Sequence, residues 1–167
     1  MKKIGIFYGS NTGVTEKIAY RIADALGVAD NDVYDVGQTA PSVVGDYDLL
    51  VLGTSTWGPG EMADPWADFI DGLEALDLSG KEAALFGVGD ESFADTFCSG
   101  VGELHDRLIK TGVKFIAPYD FVGFDFDRSS AVGDNEVEAC GLLLDEINHA
   151  DLTDGRISGW ARKVLAS

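Results

Sequence analysis

The seven residues Gly9-Ser10-Asn11-Thr12-Gly13-Val14-Thr15 directly follow the apolar run at residues 4–8, which is typical of a buried strand. After them, apolar residues recur at helical spacing, at Val14, Ile18, Ile22 and Leu26. The stretch is therefore a strand-to-helix turn, which presents backbone N–H groups and the positive end of a helix dipole. Three hydroxyls can add donors, and the turn contains no Lys or Arg. These features predict a phosphate site that is formed by dipoles rather than by charge.

A simpler explanation of the same turn is that its Ser, Thr, Asn and Gly residues only cap a helix. The turn matches neither the Walker A pattern G-x-x-x-x-G-K-[ST] nor the dinucleotide fingerprint G-x-G-x-x-G. The position of the whole cluster after the first strand favours phosphate binding.

Length and charge exclude several classes of protein. The 167 residues suffice for one domain, expected over residues 1–167, and no apolar run approaches the ~20 residues of a membrane span. Twelve basic against 29 acidic residues give a net charge of −17, which argues against nucleic acid and anionic membranes. This charge either keeps the surface soluble or attracts basic partner proteins. Met1-Lys2-Lys3 leads into a strand without a signal-peptide pattern, so we expect a cytoplasmic protein.

The two cysteines and two histidines do not suggest a metal site. Cys98 and Cys140 form no C-x-x-C pair, and His105 and His149 form no H-x-x-x-H pair. We expect buried, inert thiols and no bound metal.

The rest of the chain alternates between strand and helix patterns. Strands are predicted at 33–36, 47–53, 82–88 and 114–117, and helices follow Pro65 and surround Leu104. An aromatic and acidic segment at 119–140 is predicted to be an insertion, after which 141–144 resumes the fifth strand. A final helix is expected with Thr153 as its N-cap. The fold class is α/β, a doubly wound five-stranded parallel sheet with helices on both faces and an interrupted fifth strand.

In such a sheet, ligands bind at the carboxyl ends of the strands. Three loops, at 9–15, 54–62 and 87–98, emerge there and should form one site. The second loop carries Trp57 between polar residues and glycines, and the third carries Phe93 and Phe97. One phosphate turn beside two aromatic loops describes a site for a flat, phosphorylated heterocycle, better a mononucleotide than a dinucleotide.

The chain resembles a long-chain flavodoxin almost end to end. Ser10-Asn11-Thr12-Gly13-Val14-Thr15 resembles the family's phosphate loop, Thr56-Trp57 with Gly60-Glu61 its second loop, and Gly87-Val88-Gly89-Asp90 its third. Gly123-Phe124-Asp125-Phe126 resembles the long-chain insertion, and the long-chain resemblance extends to Leu144-Asp145-Glu146 with Asp151-Leu152-Thr153-Asp154 beyond it. The resemblance implies the strand order 2-1-3-4-5.

The resemblance also implies a cofactor, FMN, and its contacts. Its phosphate would bind to residues 10–15, its ribityl chain would lie near Thr56, Asp90 and Asp145, and Trp57 would cover one face of the ring. The ring edge would meet the backbone of 57–60 and 89–98. The cofactor-binding residues expected on this basis are Ser10, Asn11, Thr12, Gly13, Val14, Thr15, Ser55, Thr56, Trp57, Gly58, Pro59, Gly60, Val88, Gly89, Asp90, Phe93, Phe97, Cys98 and Asp145.

Two positions differ from the family pattern. The third loop is one residue short, so that either Phe93, where the family often has Tyr, or Phe97 would stack on the flavin. In the family, the peptide after the position of Gly58 turns its carbonyl to flavin N5 on reduction. In some members of the family, the N–H of the next residue donates a hydrogen bond to flavin N5 in the oxidised form. That residue is Pro59 in this chain, and proline has no N–H.

The implied function is a low-potential one-electron carrier that cycles FMN between semiquinone and hydroquinone, with no catalytic residues. Its expected partners are basic-surfaced redox proteins, such as a flavodoxin or ferredoxin reductase and a metalloenzyme acceptor, possible acceptors being nitrogenase or a ferredoxin-type protein. We expect a monomer. The alternative is an FMN-dependent NAD(P)H or quinone reductase on the same fold. A response-regulator receiver would need an acidic pair after the first strand, where Ser10 and Asn11 stand.

Overall fold

The computed structural model describes residues 2–133 and 137–167, so Met1 and residues 134–136 of the predicted insertion lie outside the described residues. Four α-helices and nine strands are described in these two ranges, besides four short 3-10 helices. The strands are β1 (Ile4–Gly9), β2 (Val33–Asp35), β3 (Leu49–Trp57), β4 (Glu61–Met62), β5 (Glu82–Val88), β6 (Lys114–Phe115), β7 (Tyr119–Asp120), β8 (Glu138–Ala139) and β9 (Gly141–Leu144). The helices are α1 (Val14–Leu26), α2 (Trp66–Glu74), α3 (Ser99–Leu108) and α4 (Ala150–Leu165).

The main sheet is parallel and has the predicted order. Its strands run β2-β1-β3-β5, and both β6 and β9 pair with β5 on its far side. The fifth strand of the fold is therefore split between β6 and β9, which confirms the expected interruption. Both faces of this sheet are covered, so the side chains on both sides of each strand are buried. The strands therefore read as continuous apolar runs in the sequence.

Two apolar cores cover the two faces of the sheet. Phe7 and Leu52 face one core, which also contains the buried sides of α2 and α3. Ile6 and Val51 face the other, together with α1 and α4. Adjacent strand residues thus point to opposite cores, as the pleat requires.

The register of the central strands positions the site. Gly9 at the end of β1 lies beside Thr54 of β3, which lies beside Gly87 of β5. The loops that leave these three strands therefore start at one edge of the sheet.

Three local features differ from the prediction. The third strand extends to Trp57 instead of ending at residue 53, because it forms an antiparallel hairpin with β4. Part of the insertion also forms a two-stranded sheet, β7 with β8. The proposed N-cap, Thr153, is wrong: α4 begins one turn earlier with His149 at the N-cap position, and Thr153 is buried inside the helix.

The described residues contain no helix that is both long and apolar enough to cross a bilayer. Within the same residues, no group of three His, Cys, Asp or Glu side chains could hold a metal ion. Both cysteines are free thiols.

Candidate functional site

A cavity of about 590 Å³ lies at the carboxyl edge of the sheet, where the three predicted loops meet. All three contribute to its wall, and so does the segment after β9. The lining residues are Thr12, Val14, Ser55, Thr56, Trp57, Gly58, Val88, Gly89, Asp90, Phe93, Thr96, Glu146 and Ile147. The structure thus brings together residues from positions 12 to 147 of the chain.

The turn between β1 and α1, which contributes Thr12 and Val14 to the cavity wall, holds polar atoms without partners among the described residues. Thr15 is fully buried, and its Oγ1 has no hydrogen-bond partner among the described residues. The same is true of the buried atoms Asn11 Nδ2 and Ser55 Oγ. Such groups are costly to bury unpaired, since each forgoes its hydrogen bonds to water. Three potential donors in two neighbouring loops fit an anionic ligand here.

The backbone of the same turn suits an anion. Gly13 has φ +90° at the N-cap position, a conformation that glycine adopts without strain. Its N–H donates to Ser10 Oγ at 2.8 Å, so the Ser10 hydroxyl can still donate its own hydrogen. Asn11 is held by its Oδ1, which accepts from the Asp64 N–H at 3.1 Å. The first N–H groups of α1 have no acceptor within the helix, and the helix dipole adds positive potential there.

Two exposed aromatic rings belong to the cavity wall, one from the second loop and one from the third. Trp57 is 49% exposed and Phe93 is 68% exposed, which is high for side chains of this size. Trp57 stands at the start of a tight hairpin, where its carbonyl accepts from the Gly60 N–H at 3.2 Å. Gly58, with φ +53°, occupies the first central position of that turn, and Pro59 occupies the second.

Asp90 is the acidic group of the third loop that lines the cavity. Its Oδ1 accepts from the Ser92 N–H and from Asn148 Nδ2, both at 2.8 Å. Burial alone would raise the pKa of Asp90, but these hydrogen bonds lower it below its ordinary value. A carboxylate charge is therefore retained next to the cavity.

Asp145, which the sequence analysis places near the ligand, does not itself line the cavity. Its side chain is fully buried, and its oxygens accept from the backbone N–H groups of Glu91, Ile147 and Asn148 at 2.9–3.0 Å. Asn148 Nδ2 adds a fourth bond at 2.8 Å. Asp145 therefore ties the segment after β9 to the third loop.

Phe97 and Cys98 also lie outside the cavity. Phe97 is only 1% exposed and packs against Phe124 and Phe126 of the insertion, with ring centroids 5.3 and 4.8 Å away. Cys98 is fully buried, and burial raises the pKa of its thiol. Of the two phenylalanines proposed for the ring, only Phe93 reaches the cavity.

The other predicted residues divide into two groups. Ser10, Asn11, Gly13 and Thr15 form the turn beneath Thr12 and Val14 rather than the wall itself. Pro59 and Gly60 line a neighbouring groove of about 750 Å³ between the hairpin and the insertion.

Sequence reasoning missed two wall residues, Glu146 and Ile147, and included Thr96 only within the range 89–98. Ile147 is 74% exposed, although it is large and apolar. Glu146 pairs with Arg21 of α1 at 2.9 Å. The signal for Glu146 was its place directly after Asp145, whereas nothing in the sequence marked Ile147, because strand periodicity ends before it.

The family model described as Flavodoxin matches residues 6–160. The chain belongs to the flavodoxin family. It is 37% identical to the flavodoxin of Buchnera aphidicola over 166 residues, which are 99% of this chain and 96% of that protein. It is also 37% identical to a flavodoxin of Nostoc over 164 residues, 98% of this chain and 95% of the relative.

A solved flavodoxin has the same fold as this one. The crystal structure of Fusobacterium nucleatum flavodoxin bound to flavin mononucleotide superimposes with a TM-score of 0.89 at 30% identity. The match covers 99% of this chain and 98% of that one. Flavodoxins are electron-transfer proteins, so family membership and fold together make this chain an electron carrier.

Proposed function

We propose that this flavodoxin carries single electrons on FMN bound non-covalently in the cavity between its three loops. The proposal rests on two features that occur together at this site. Buried side-chain donors in the loops around the cavity have no hydrogen-bond partners among the described residues, and two exposed aromatic rings line the cavity wall. FMN has a phosphate at one end and a flat ring at the other. The related Fusobacterium protein, bound to this cofactor, supports the choice.

The phosphate is assigned to residues 10–15. The side chains of Asn11 and Thr15, with Ser55 from the second loop, would supply the donors that lack partners. Backbone N–H groups at the start of α1 would supply the rest, as is usual for phosphates at helix N-termini. A turn without Lys or Arg holds the phosphate without adding positive charge to the site.

The ring is assigned to the space between Trp57 and Phe93, and the ribityl chain to the region of Thr56 and Asp90. The backbone of Gly58 and Val88–Gly89 would meet the ring edge, since all three line the cavity. Bound FMN supplies one-electron redox chemistry. The protein's part is to orient the ring, keep water from its faces and set the electrostatic potential around it.

Acidic groups around the cavity favour a low reduction potential. Asp90 and Glu146 line it, while Glu61 and Asp95 lie on the adjoining loops. One negative charge at ~10 Å in an effective dielectric of ~20 opposes an added electron by about 1.7 kcal/mol. Glu146 contributes less to this electrostatic cost than an unpaired carboxylate would, because Arg21 forms an ion pair with it. The sum makes the reduced protein a strong electron donor.

A flavodoxin exchanges electrons with redox partners, and we assign basic-surfaced proteins to that role: a reductase as donor and a metalloenzyme as acceptor. The net charge of −17 supports this assignment, because it accelerates encounter with positive surfaces. We also propose that the protein is a monomer and lies in the cytoplasm. The free thiols of Cys98 and Cys140 suit a reducing compartment.

Titration of the FMN-free protein with FMN and with riboflavin tests the proposal. Flavin fluorescence should be quenched at one site per chain, and FMN should bind much more tightly than riboflavin, which lacks the phosphate. Equal affinity for the two would contradict the assignment of residues 10–15. Stopped-flow mixing of the loaded protein with NADPH tests the reductase alternative, and negligible direct reduction is expected of a carrier.

A further inference from the structure

Glu91 makes contacts with three separate segments. Its N–H donates to the buried Asp145 Oδ2 at 3.0 Å. Its side-chain Oε2 accepts from the Asp125 N–H of the insertion at 2.8 Å, and its Oε1 lies 2.8 Å from His149 Nε2 at the start of α4. The side chain of Glu91 is only 19% exposed and that of His149 only 26%. Both side chains of this contact are therefore largely shielded from solvent.

The position of Glu91 in its loop gives these contacts their importance. It directly follows Asp90 and stands two residues before Phe93, and both neighbours line the cavity. On the other side of Phe93, the Ala94 carbonyl accepts from the N–H groups of Asp127 and Arg128, both at 2.8 Å. Phe93 thus lies between two points at which the loop is attached to the insertion.

The Phe93 ring itself is weakly supported. It is 68% exposed, and the two hydrogen bonds that hold its backbone are local: its N–H donates to the Asp90 carbonyl at 2.9 Å, and its carbonyl accepts from the Thr96 N–H at 3.1 Å. The turn at 90–93 is therefore stable within itself, while its position relative to the sheet depends on the residues that attach it. Glu91 is the side chain that joins it to both the insertion and α4.

We propose that Glu91 is a positioning residue for the cofactor: through its contacts with Asp125 and His149 it holds Phe93 and Asp90 at the wall of the cavity. Glu91 does not line the cavity and is not assigned a contact with FMN. The inference rests on the proposed FMN site and concerns only its ring end. The proposed phosphate site is built from a different loop.

Flavin binding to four FMN-free proteins tests the inference: wild type, Glu91→Ala, Glu91→Gln and Glu138→Gln. Glu138→Gln is the matched control, because Glu138 also forms an ion pair of 2.8 Å, with Lys163, but does not line the cavity. Dissociation constants for FMN and riboflavin are measured together with the urea-unfolding free energy of each FMN-free protein.

Glu91→Ala should raise the dissociation constants of FMN and riboflavin by the same factor, about tenfold, which corresponds to about 1.4 kcal/mol of binding free energy. The factor is shared because both ligands contain the ring that Phe93 would contact. Glu91→Gln retains an oxygen acceptor for the Asp125 N–H and should recover most of the affinity, while the control should bind both flavins like wild type.

Two results would overturn the inference. One is wild-type affinity for both flavins in Glu91→Ala, whether or not its unfolding free energy falls, and the other is a loss of affinity confined to FMN. If wild-type protein bound neither flavin, the proposed function itself would fail, and that outcome is separate from the other two.

Discussion

Phe93 and Phe97 lie four residues apart on one loop and face opposite environments: Phe93 is 68% exposed at the cavity, and Phe97 is 1% exposed against the insertion. The loop thus places one ring at the cavity and packs the other against the insertion.

Alanine substitution should separate these two roles. Phe97→Ala should destabilise the protein by ~3–5 kcal/mol, the usual cost of deleting a buried ring. Phe93→Ala should change the unfolding free energy of the FMN-free protein by no more than ~0.5 kcal/mol. It should weaken FMN by a few-fold to about tenfold through loss of stacking. Urea unfolding and fluorescence titration measure both effects. If Phe97→Ala weakened FMN binding and Phe93→Ala did not, the result would contradict the proposed site.

Thr15→Val tests the phosphate turn. The substitution keeps the side-chain volume and removes a buried hydroxyl that has no partner among the described residues. FMN affinity should fall roughly 10- to 100-fold, the range for a hydrogen bond to a charged group. Riboflavin affinity and the stability of the FMN-free protein should not fall.

Thr111→Val is the matched control for Thr15→Val. Thr111 is equally buried, but its hydroxyl donates to the Leu108 carbonyl at 2.6 Å. This variant should lose stability and bind FMN normally. If Thr15→Val left FMN affinity intact, the hydroxyl would have no part in binding the phosphate.

Pro59→Ala tests the effect of the missing N–H on the redox potential. Proline at this position offers no hydrogen bond to the oxidised flavin, and alanine would restore a donor. One net hydrogen bond of ~0.5–1.5 kcal/mol should lower the first one-electron potential by some tens of millivolts, since ~1.4 kcal/mol equals ~59 mV for one electron.

The control for Pro59→Ala is Pro41→Ala, which alters a proline that packs on Gly72 of α2 and does not belong to the hairpin. Its potentials should equal those of wild type. A first potential that is unchanged or higher in Pro59→Ala would refute the hypothesis.

The ion pairs of Glu74 predict a pH dependence of stability. Arg107 first, and then Lys110, lower the pKa of Glu74 from 4.5 to about 2. A carboxylate with a depressed pKa in the folded state adds stability above its unfolded pKa of 4.5. That stability declines as the pH falls and is lost below about 2. In urea unfolding between pH 6 and pH 2.5, Glu74→Gln should lose less stability than wild type. Parallel curves would contradict the assignment.

Most of the fold could be predicted because its strands are buried on both faces. Continuous apolar runs located β1, β3, β5 and β9, and the helical period located α1. The hairpin with β4 was missed because Thr54-Ser55-Thr56 reads as a polar loop. The start of α4 was misassigned because the local sequence does not distinguish a Thr at an N-cap from a Thr that is buried inside a helix.

The site was predictable at its loops and less so at individual side chains. Trp57 and Phe93 are on the cavity wall, whereas Phe97, an aromatic of the same loop as Phe93, is buried against the insertion. Asp145 was placed at the ligand, yet it is buried among backbone N–H groups. Which of these roles a carboxylate takes depends on how two distant loops meet, and local patterns do not contain that information.

The central claim, a one-electron carrier on bound FMN, is tested most directly by an anaerobic redox titration of the FMN-loaded protein followed by absorbance. We expect two separate one-electron steps, the second at a potential well below that of free FMN, because the acidic groups around the cavity oppose the last electron. A single two-electron step at the potential of free FMN would contradict the account.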